Sequence, residues 1–213
     1  NLLKICNMID KKKLNNSRSK KMVQGVKNIF YEVYFDINEK KNVKKYNVSN
    51  RSWYFFPWNR DRTKLSRLIQ PLFDKVLRIN GYEPKKIFKQ TPRDGIIQRF
   101  HLMNYPIGKG YISSHIDPSH IIKVNSGVYI SEFNREYDEG GFYVLNKNKK
   151  KINIDKVIKS SDLVLFYASM PHGVDIIKKT NKKKNHIENG RWFLNMTLVS
   201  SHLVKNRVTS RGI

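Results

Sequence analysis

The chain has 213 residues, which is enough for one well-filled core and too few for two comfortable domains. Hydrophobic residues make up 39% and aromatic residues 12%, so a globular fold is expected and a disordered chain is excluded. Cys6 is the only cysteine, which excludes an internal disulfide and a cysteine-based metal cluster and favours a reducing, cytoplasmic location. No apolar run approaches the about 18 residues of a membrane span, so no membrane association is expected.

The formal net charge of +25 leaves two interpretations open. Of the 42 basic residues, 30 are Lys and 12 are Arg, and the chain is also rich in Asn and Ile. This pattern fits an AT-rich coding bias with a solvated surface, because proteins that bind phosphates or bases use Arg forks as well as Lys. The alternative is a basic surface that faces nucleic acid. We favour the first interpretation and keep nucleic acid as an alternative partner.

The first quarter of the chain is predicted to contain a basic arm and one strand. Residues 1–27 are rich in Lys, Asn and Ser and are interpreted as a loosely docked arm with one short helix. Residues 29–36 have the aromatic and β-branched character of a strand. Residues 37–52 are polar and are expected to form a loop, and residues 53–61 (WYFFPWNRD) form an aromatic block.

One long amphipathic helix is predicted next. Apolar residues recur at three- and four-residue steps from Leu65 to Leu77, while Lys and Arg take the other face. Pro71 is expected to kink or split this helix, and Asn80-Gly81 is expected to end it.

The pattern changes to β from about Ile96 onward, where short apolar runs alternate with turn signals. The predicted strands are 97–104, 110–115, 121–131, 141–145, 162–167, 172–178 and 191–200. Short strands that follow a helical half predict a β-sandwich or barrel backed by helices. The Lys-rich segments 147–151 and 178–184 are expected to be solvated loops between strands.

Three short segments of the β region, HIDPS, MPHGVDII and NGRWFLNM, carry residues that suit a metal and an organic acid. In an extended backbone, residues two apart point to the same side, so His115 and Asp117 can converge on one ion. His172 follows much later and must come from another strand. Two imidazoles and one carboxylate can cap one face of an octahedral Fe(II) and leave the opposite positions open. These residues suit a mononuclear iron site. The alternatives for the separate segments are an ordinary surface histidine beside Asp117 and a satisfied loop histidine at His172.

Arg191 opens the otherwise apolar strand RWFLNMTLV. A buried unpaired charge costs several kcal/mol, so its guanidinium needs a partner. The planar fork suits a carboxylate. A protein Asp or Glu and a dicarboxylic co-substrate would serve equally well.

Together, the segments YPIGKGYISSHIDPS, DEGGFYVL, DLVLFYASMPHGVDII and GRWFLNM resemble the Fe(II)- and 2-oxoglutarate-dependent dioxygenases, in the prolyl-hydroxylase-like and phytanoyl-CoA-dioxygenase-like branch. The resemblance covers about residues 97–210, and the ending SSHLVKNR resembles the tails of bacterial members. It implies a mainly β fold with supporting helices, built on a double-stranded β-helix (a cupin-like jelly roll). The expected single oxygenase domain spans residues 28–213, with a helical and aromatic support region in 28–95 and the β core in 96–213.

The resemblance also assigns roles to individual residues. It implies three iron ligands with a catalytic role, His115, Asp117 and His172. It implies co-substrate contacts for Arg191, which would pair with the distal carboxylate of 2-oxoglutarate, and for Tyr105 and Asn125. The aromatic block supplies three candidate walls of the substrate pocket, Trp53, Phe55 and Trp58.

Two positions depart from the common pattern of the superfamily. Phe193 stands where many members carry a hydroxyl residue. The segment between His172 and Arg191 is longer than usual because of NKKKNHIEN, which is interpreted as a long hairpin loop. Because Phe193 has no hydroxyl, another group is expected to complete the carboxylate pocket.

The activity that the resemblance implies is hydroxylation of an unactivated C–H bond in a small molecule or conjugated metabolite, with Fe(II), 2-oxoglutarate and O₂ used and succinate and CO₂ released. Asp117 favours hydroxylation, because related halogenases have a small residue in its place. The alternative is a nucleic-acid-modifying oxygenase, but Thr197 stands where the alkylation-repair demethylases carry a second Arg. A non-catalytic, basic nucleic-acid-binding domain is a third interpretation, which iron binding with 2-oxoglutarate turnover would exclude.

Overall fold

The computed structural model describes residues 2, 4–6, 31–35, 48–56, 63–88, 96–180 and 190–200, and for residues 31–35 it gives the backbone alone. Several predictions fall outside these ranges. They concern most of the arm 1–27, most of the loop 37–52, the pocket wall Trp58 and the insertion 181–189.

The described part of the chain forms short strands from Ile96 onward, as predicted, and those that pair are antiparallel. The strands are β1 Tyr31–Phe35, β2 Val48–Phe55, β3 Ile96–Tyr105, β4 Tyr111–His115, β5 Val124–Tyr129, β6 Glu139–Leu145, β7 Lys151–Asn153, β8 Leu163–Tyr167, β9 His172–Lys178 and β10 Arg191–Ser200. The helices with described bounds are α1 Leu65–Ile79 and α2 Pro84–Phe88. Every strand predicted after residue 96 is present, whereas β7 and the first half of β2 were expected to be loops. No helix in the described ranges has the length and apolar character needed to cross a bilayer.

The strands belong to one curled sheet that folds over at β2. The strand order is β7-β6-β9-β4-β2-β3-β10-β5-β8, and β1 pairs with β2. The start of β2 pairs with β4, with Val48 opposite Ile112, and its end pairs with β3, with Phe55 opposite Phe100. Two facing layers result, a minor sheet (β7, β6, β9, β4) and a major sheet (β1, β2, β3, β10, β5, β8). The fold is therefore the predicted double-stranded β-helix, or jelly roll.

Successive side chains along each strand of the major sheet point to opposite faces, and this alternation separates two hydrophobic clusters. One face packs against α1 and forms a helix-side core, in which Trp53 and Trp192 stack with ring centroids 5.3 Å apart. The helix contributes Leu65, Ile69, Phe73, Val76 and Leu77 to this core. The inner cluster has members from both sheets, namely Met103, Tyr105, Tyr137, Phe142, Val174 and Ile177. The metal-ligand candidates lie on the side of the inner cluster.

α1 continues through Pro71 from Leu65 to Ile79, so the helix is not split there. Pro71 lies on the exposed face, where water can hydrate the carbonyl that loses its N–H partner. The predicted end is confirmed, since Asn80 caps the helix and Gly81 follows with a φ of 81°.

Asn80 also ties the end of α1 to the start of β5. Its Oδ1 accepts hydrogen bonds from the backbone N–H groups of Lys123 and Val124, both at 2.8 Å. Its Nδ2 donates to the carbonyls of Val76 and Val124, both at 3.0 Å. This connection fixes the strand that carries Asn125.

We expect Asn80→Ala to lower the free energy of unfolding by about 1–3 kcal/mol, because the backbone groups at the start of β5 lose their partners. Urea denaturation measures the effect. Asn80→Asp is the control, because it keeps the acceptor for both N–H groups and should recover part of the loss. Equal stability of Asn80→Ala and the unmodified chain would contradict this role.

Candidate metal centre

The three predicted iron ligands meet where β4 ends and β9 begins. His115 and His172 are paired directly across these antiparallel strands. Asp117 Oδ1 lies 3.7 Å from His115 Nε2, and Asp117 Oδ2 lies 3.5 Å from His172 Nε2. One ligand atom from each residue lies within 4.8 Å of the others, which is a spacing that can surround one ion. The structure thus brings the three residues together.

The hydrogen bonds of both histidines direct their ε nitrogens toward Asp117. His115 Nδ1 lies 2.9 Å from the carbonyl of Ser113, and His172 Nδ1 lies 2.8 Å from the carbonyl of Met170. A carbonyl can only accept, so each Nδ1 carries the proton and each Nε2 keeps its lone pair. This is the arrangement by which proteins orient histidines that bind a metal.

Asp117 is held in place by its backbone and by Asn125. Its backbone N–H donates to the carbonyl of Ala168 at 2.9 Å, at the end of β8. Asn125 Nδ2 donates to Asp117 Oδ2 at 2.6 Å. Asn125 was predicted to contact the co-substrate, and the contact that the structure shows is with a ligand carboxylate.

We expect Asn125→Ala to weaken Fe(II) binding by about 10–100-fold, because the carboxylate of Asp117 loses the bond that orients it. Competition with a metal chelator measures the affinity. Asn153→Ala is a matched control, because Asn153 is a half-buried asparagine of β7 whose Nδ2 donates to the carbonyl of Gly140 at 2.7 Å, outside the cavity lining. An Fe(II) affinity unchanged by Asn125→Ala would show that Asp117 needs no such support.

The pKa shifts of His115 and Asp117 suit a divalent metal. Burial and the neighbouring His172 lower the pKa of His115, which keeps its imidazole neutral. Burial alone would raise the pKa of Asp117, but its contacts with His172, His115 and Asn125 outweigh burial and lower the pKa. A neutral imidazole and an ionised carboxylate are the forms that bind metals. Two imidazole nitrogens and one carboxylate oxygen fit Fe(II) with open positions.

The centre opens into a cavity of about 470 Å³ between the two sheets. The lining includes the three candidate ligands and all three predicted co-substrate residues, Tyr105, Asn125 and Arg191. Tyr105 and Arg191 are directly opposite each other on β3 and β10, and the Arg191 guanidinium carbon lies 5.7 Å from the Tyr105 ring centroid.

Arg191 is already paired with a protein carboxylate. Its Nε lies 2.7 Å from Asp155 Oδ2, and its Nη2 lies 3.2 Å from Asp155 Oδ1. The two side chains are 2% and 0% exposed. Of the two counter-charges that the sequence left open for Arg191, the structure therefore contains a protein Asp, which takes two of the five guanidinium N–H donors.

Two buried tyrosines complete the surroundings of this pair. Tyr137 donates its hydroxyl to Asp155 Oδ2 at 2.5 Å, and the Tyr129 hydroxyl contacts both Asp155 and Arg191. Burial raises the pKa of each tyrosine well above its usual value despite the nearby Arg191, so both remain neutral donors. Burial opposes the charge of Arg191, but the neighbouring carboxylate of Asp155 holds its pKa well above the usual value. None of Asp155, Tyr129 and Tyr137 was singled out from the sequence.

The structure places Trp53 and Phe55 on the other side of β2 from the cavity. Both belong to the helix-side core and are 0% and 3% exposed. The cavity-facing residues of β2 are Val48, Asn50, Ser52 and Tyr54. Of the described residues of the aromatic block, Trp53 and Phe55 therefore support the sheet, whereas Tyr54 lines the cavity beside Asn50 and Ser52.

No family model matches the chain, and no curated protein matches it in sequence. Solved structures do share its fold. The prolyl hydroxylase of Trichoplax adhaerens, in complex with a hypoxia inducible factor oxygen degradation domain peptide fragment, superposes with a TM-score of 0.53 and 13% identity over 94% of this chain and 77% of that chain. The two chains therefore share a fold.

Two further structures show lower similarity. A prolyl-4-hydroxylase from Pseudomonas putida has a TM-score of 0.46 and 16% identity over 70% of this chain and 68% of that chain. A full-length protein of Neurospora crassa, in complex with alpha-KG and thymine, has a TM-score of 0.49 and 13% identity over 93% of this chain and 70% of that chain. At these identities the likeness concerns the fold alone.

Proposed function

We propose that this chain is an Fe(II)- and 2-oxoglutarate-dependent dioxygenase that hydroxylates a C–H bond of a small molecule or conjugated metabolite. The observation that carries the proposal is the convergence of His115, Asp117 and His172, with both Nε2 atoms directed at the carboxylate, on a cavity inside a jelly roll. These three residues would hold Fe(II). When bound, the metal supplies the oxidation by O₂ in which 2-oxoglutarate becomes succinate and CO₂ and a substrate C–H becomes C–OH.

Three residues are proposed to prepare the site for the co-substrate. Arg191 would donate its remaining N–H groups to the distal carboxylate of 2-oxoglutarate, and Tyr105, directly opposite on β3, would contact the same group. Asn125 would act through Asp117, because its amide nitrogen already donates to that carboxylate. Buried donors that are fixed before binding lower the cost of orienting the co-substrate.

The cavity lining favours a substrate with both an apolar and a polar part. The minor sheet contributes the apolar side chains of Ile112, Phe142 and Val174. The major sheet contributes most of the polar groups, including Asn50, Ser52, Arg99, His101, Asn195 and Thr197. The buried Oδ1 of Asn195 accepts no hydrogen bond within the described part of the chain, so it is a candidate acceptor for a substrate donor. The cavity volume lies in the range of small-molecule sites.

The experiment that tests the proposal uses an extract of small metabolites as the substrate source. The protein is incubated with Fe(II), 2-oxoglutarate and the extract under ¹⁸O₂, and succinate and labelled products are followed by mass spectrometry. We expect succinate formation that the extract stimulates and a product that gains one oxygen atom. No succinate above the level of a heat-inactivated control would refute the activity.

A nucleic-acid-modifying oxygenase is the second candidate, and the net charge of +25 is the observation that favours it. If the charge is compositional, binding to duplex DNA should be weak, should fall steeply with salt and should lack sequence preference. A competition assay at physiological salt measures this binding. Tight, sequence-specific binding would replace the small-molecule proposal with the nucleic-acid one.

A further inference from the structure

Asp155 occupies a site that the surrounding chain is built to hold. Its Oδ2 accepts hydrogen bonds from Arg191 Nε at 2.7 Å, Tyr137 Oη at 2.5 Å and the Phe142 backbone N–H at 2.9 Å. Arg191 Nη2 donates to Oδ1. Gly141 has a φ of 102°, and a Cβ at this position would overlap the Asp155 carboxylate. The carboxylate is thus fixed behind Arg191 and does not line the cavity.

The pairing of Asp155 with Arg191 reduces the electrostatic attraction of the cavity for a carboxylate that enters it. A lone buried guanidinium would attract an anion strongly, because charges in the interior are poorly screened. Here the buried pair of Arg191 and Asp155 has no net charge, so the attraction of Arg191 for a second carboxylate is offset by the repulsion of Asp155. Directional hydrogen bonds from the guanidinium remain, but they are weaker than bonds to an uncompensated charge.

The cavity next to Arg191 is also aromatic. The guanidinium carbon lies 4.8 Å from the ring centroid of Tyr129 and 5.3 Å from that of Phe193, and these two rings contact edge to face at 5.2 Å. Gly127 makes room for the Phe193 ring, because a Cβ there would overlap it. Such a surface can accept a methyl group as readily as it accepts the apolar part of an acid.

We propose that Asp155 is the resident counter-ion of Arg191. As a result, the cavity discriminates only weakly between 2-oxo acid co-substrates that have a distal carboxylate and those that lack one. Five-carbon 2-oxo acids that end in a methyl group would therefore be accepted beside 2-oxoglutarate. The inference rests on the proposed function, since it concerns the co-substrate of the same site.

The test compares 2-oxoglutarate with 2-oxopentanoate, which has a methyl group in place of the distal carboxylate. Both are titrated anaerobically into the Fe(II)-loaded protein, and binding is followed by visible charge-transfer absorption. We expect the two dissociation constants to differ by at most about tenfold in the unmodified chain. In Asp155→Asn, where Arg191 has lost its counter-charge, their ratio should rise by about tenfold or more. A larger initial preference for 2-oxoglutarate, or a smaller rise, would overturn the inference.

Asp74→Asn is the matched control, because it removes the same charge from α1. Asp74 accepts a hydrogen bond from Gln70 Nε2 at 2.7 Å and lies outside the cavity lining. In Asp74→Asn, the ratio of the dissociation constants for 2-oxopentanoate and 2-oxoglutarate should equal that of the unmodified chain. A change as large as in Asp155→Asn would mean that overall charge, and not Asp155, sets the selection.

A thermal unfolding measurement keeps the test decisive if Asp155→Asn folds poorly. With Fe(II) present, 2-oxoglutarate should raise the unfolding midpoint of Asp155→Asn more than that of the unmodified chain, because its carboxylate replaces the missing counter-ion. 2-Oxopentanoate should raise both midpoints equally. A variant that stays unfolded with saturating 2-oxoglutarate would overturn the inference.

Failure of the inference and failure of the proposed function give different results. If both acids bind and their ratio is unchanged by Asp155→Asn, the inference alone falls. If neither acid binds the Fe(II)-loaded chain, the proposed function and the inference fall together.

Discussion

Replacing His172 with alanine is expected to lower Fe(II) affinity by more than about 100-fold and to abolish 2-oxoglutarate decarboxylation. The loss should exceed the 10–100-fold typical of residues that only support a metal ligand, because a ligand itself is removed. His172 is 6% exposed, and its Nε2 faces Asp117 at 3.5 Å, so no other described side chain takes its place without rearrangement. Metal analysis after gel filtration and succinate release measure the two effects.

His115→Ala should behave in the same way, and His120→Ala serves as the control. His120 is exposed in the loop after Asp117 and is not part of the ligand set. Its replacement should leave iron occupancy unchanged. Full iron occupancy in His172→Ala would refute the assignment of the centre.

Arg191→Ala is expected to lower the free energy of unfolding by about 3–5 kcal/mol, because it leaves the buried carboxylate of Asp155 without its counter-charge. It should also remove most of the 2-oxoglutarate binding while the three-ligand site still takes up Fe(II). Arg191→Lys keeps the charge and loses the fork, so co-substrate affinity should fall by up to about tenfold, or 1.4 kcal/mol. Urea denaturation and anaerobic titration with 2-oxoglutarate measure these changes.

A double variant separates the structural role of Arg191 from its role in binding. Arg191→Met combined with Asp155→Asn removes both charges and keeps an oxygen that can accept from Tyr137 and Phe142. It should recover most of the stability that Arg191→Ala loses, since a buried ion pair can often be replaced at little cost. Its 2-oxoglutarate affinity should recover only to about that of 2-oxopentanoate, because the guanidinium donors are absent. An unchanged 2-oxoglutarate midpoint in Arg191→Ala would instead show that Arg191 is structural and that another group holds the co-substrate.

The candidate metal ligands could be singled out from the sequence because two of them are close together in the chain and the third lies in a segment that carries the family resemblance. His115 and Asp117 lie two residues apart at a strand end, and His172 opens a strand after a proline. Asp155 could not be predicted in this way. It lies 36 residues before Arg191, next to a Lys-rich segment, and it is brought to the guanidinium by long-range contacts with Tyr137, Gly141 and Phe142.

The inner face of β2 was missed for a different physical reason. Asn50 and Ser52 made residues 37–52 look like a polar loop, but these side chains line an internal cavity. A strand that faces a polar cavity carries polar residues at alternate positions on its inner side, so its composition resembles that of a loop. Because alternate residues of a strand point to opposite faces, Trp53 and Phe55 lie on the helix side of β2, where aromatic residues pack against α1.

Anaerobic addition of 2-oxoglutarate to the Fe(II)-loaded protein tests the central claim most directly. We expect a visible charge-transfer absorption that saturates at one equivalent per chain, persists in His120→Ala and is absent from His172→Ala. A chain that retains no Fe(II), or one that binds Fe(II) without any change in absorption when 2-oxoglutarate is added, would contradict the assignment of His115, Asp117 and His172 as the centre of a 2-oxoglutarate-dependent dioxygenase.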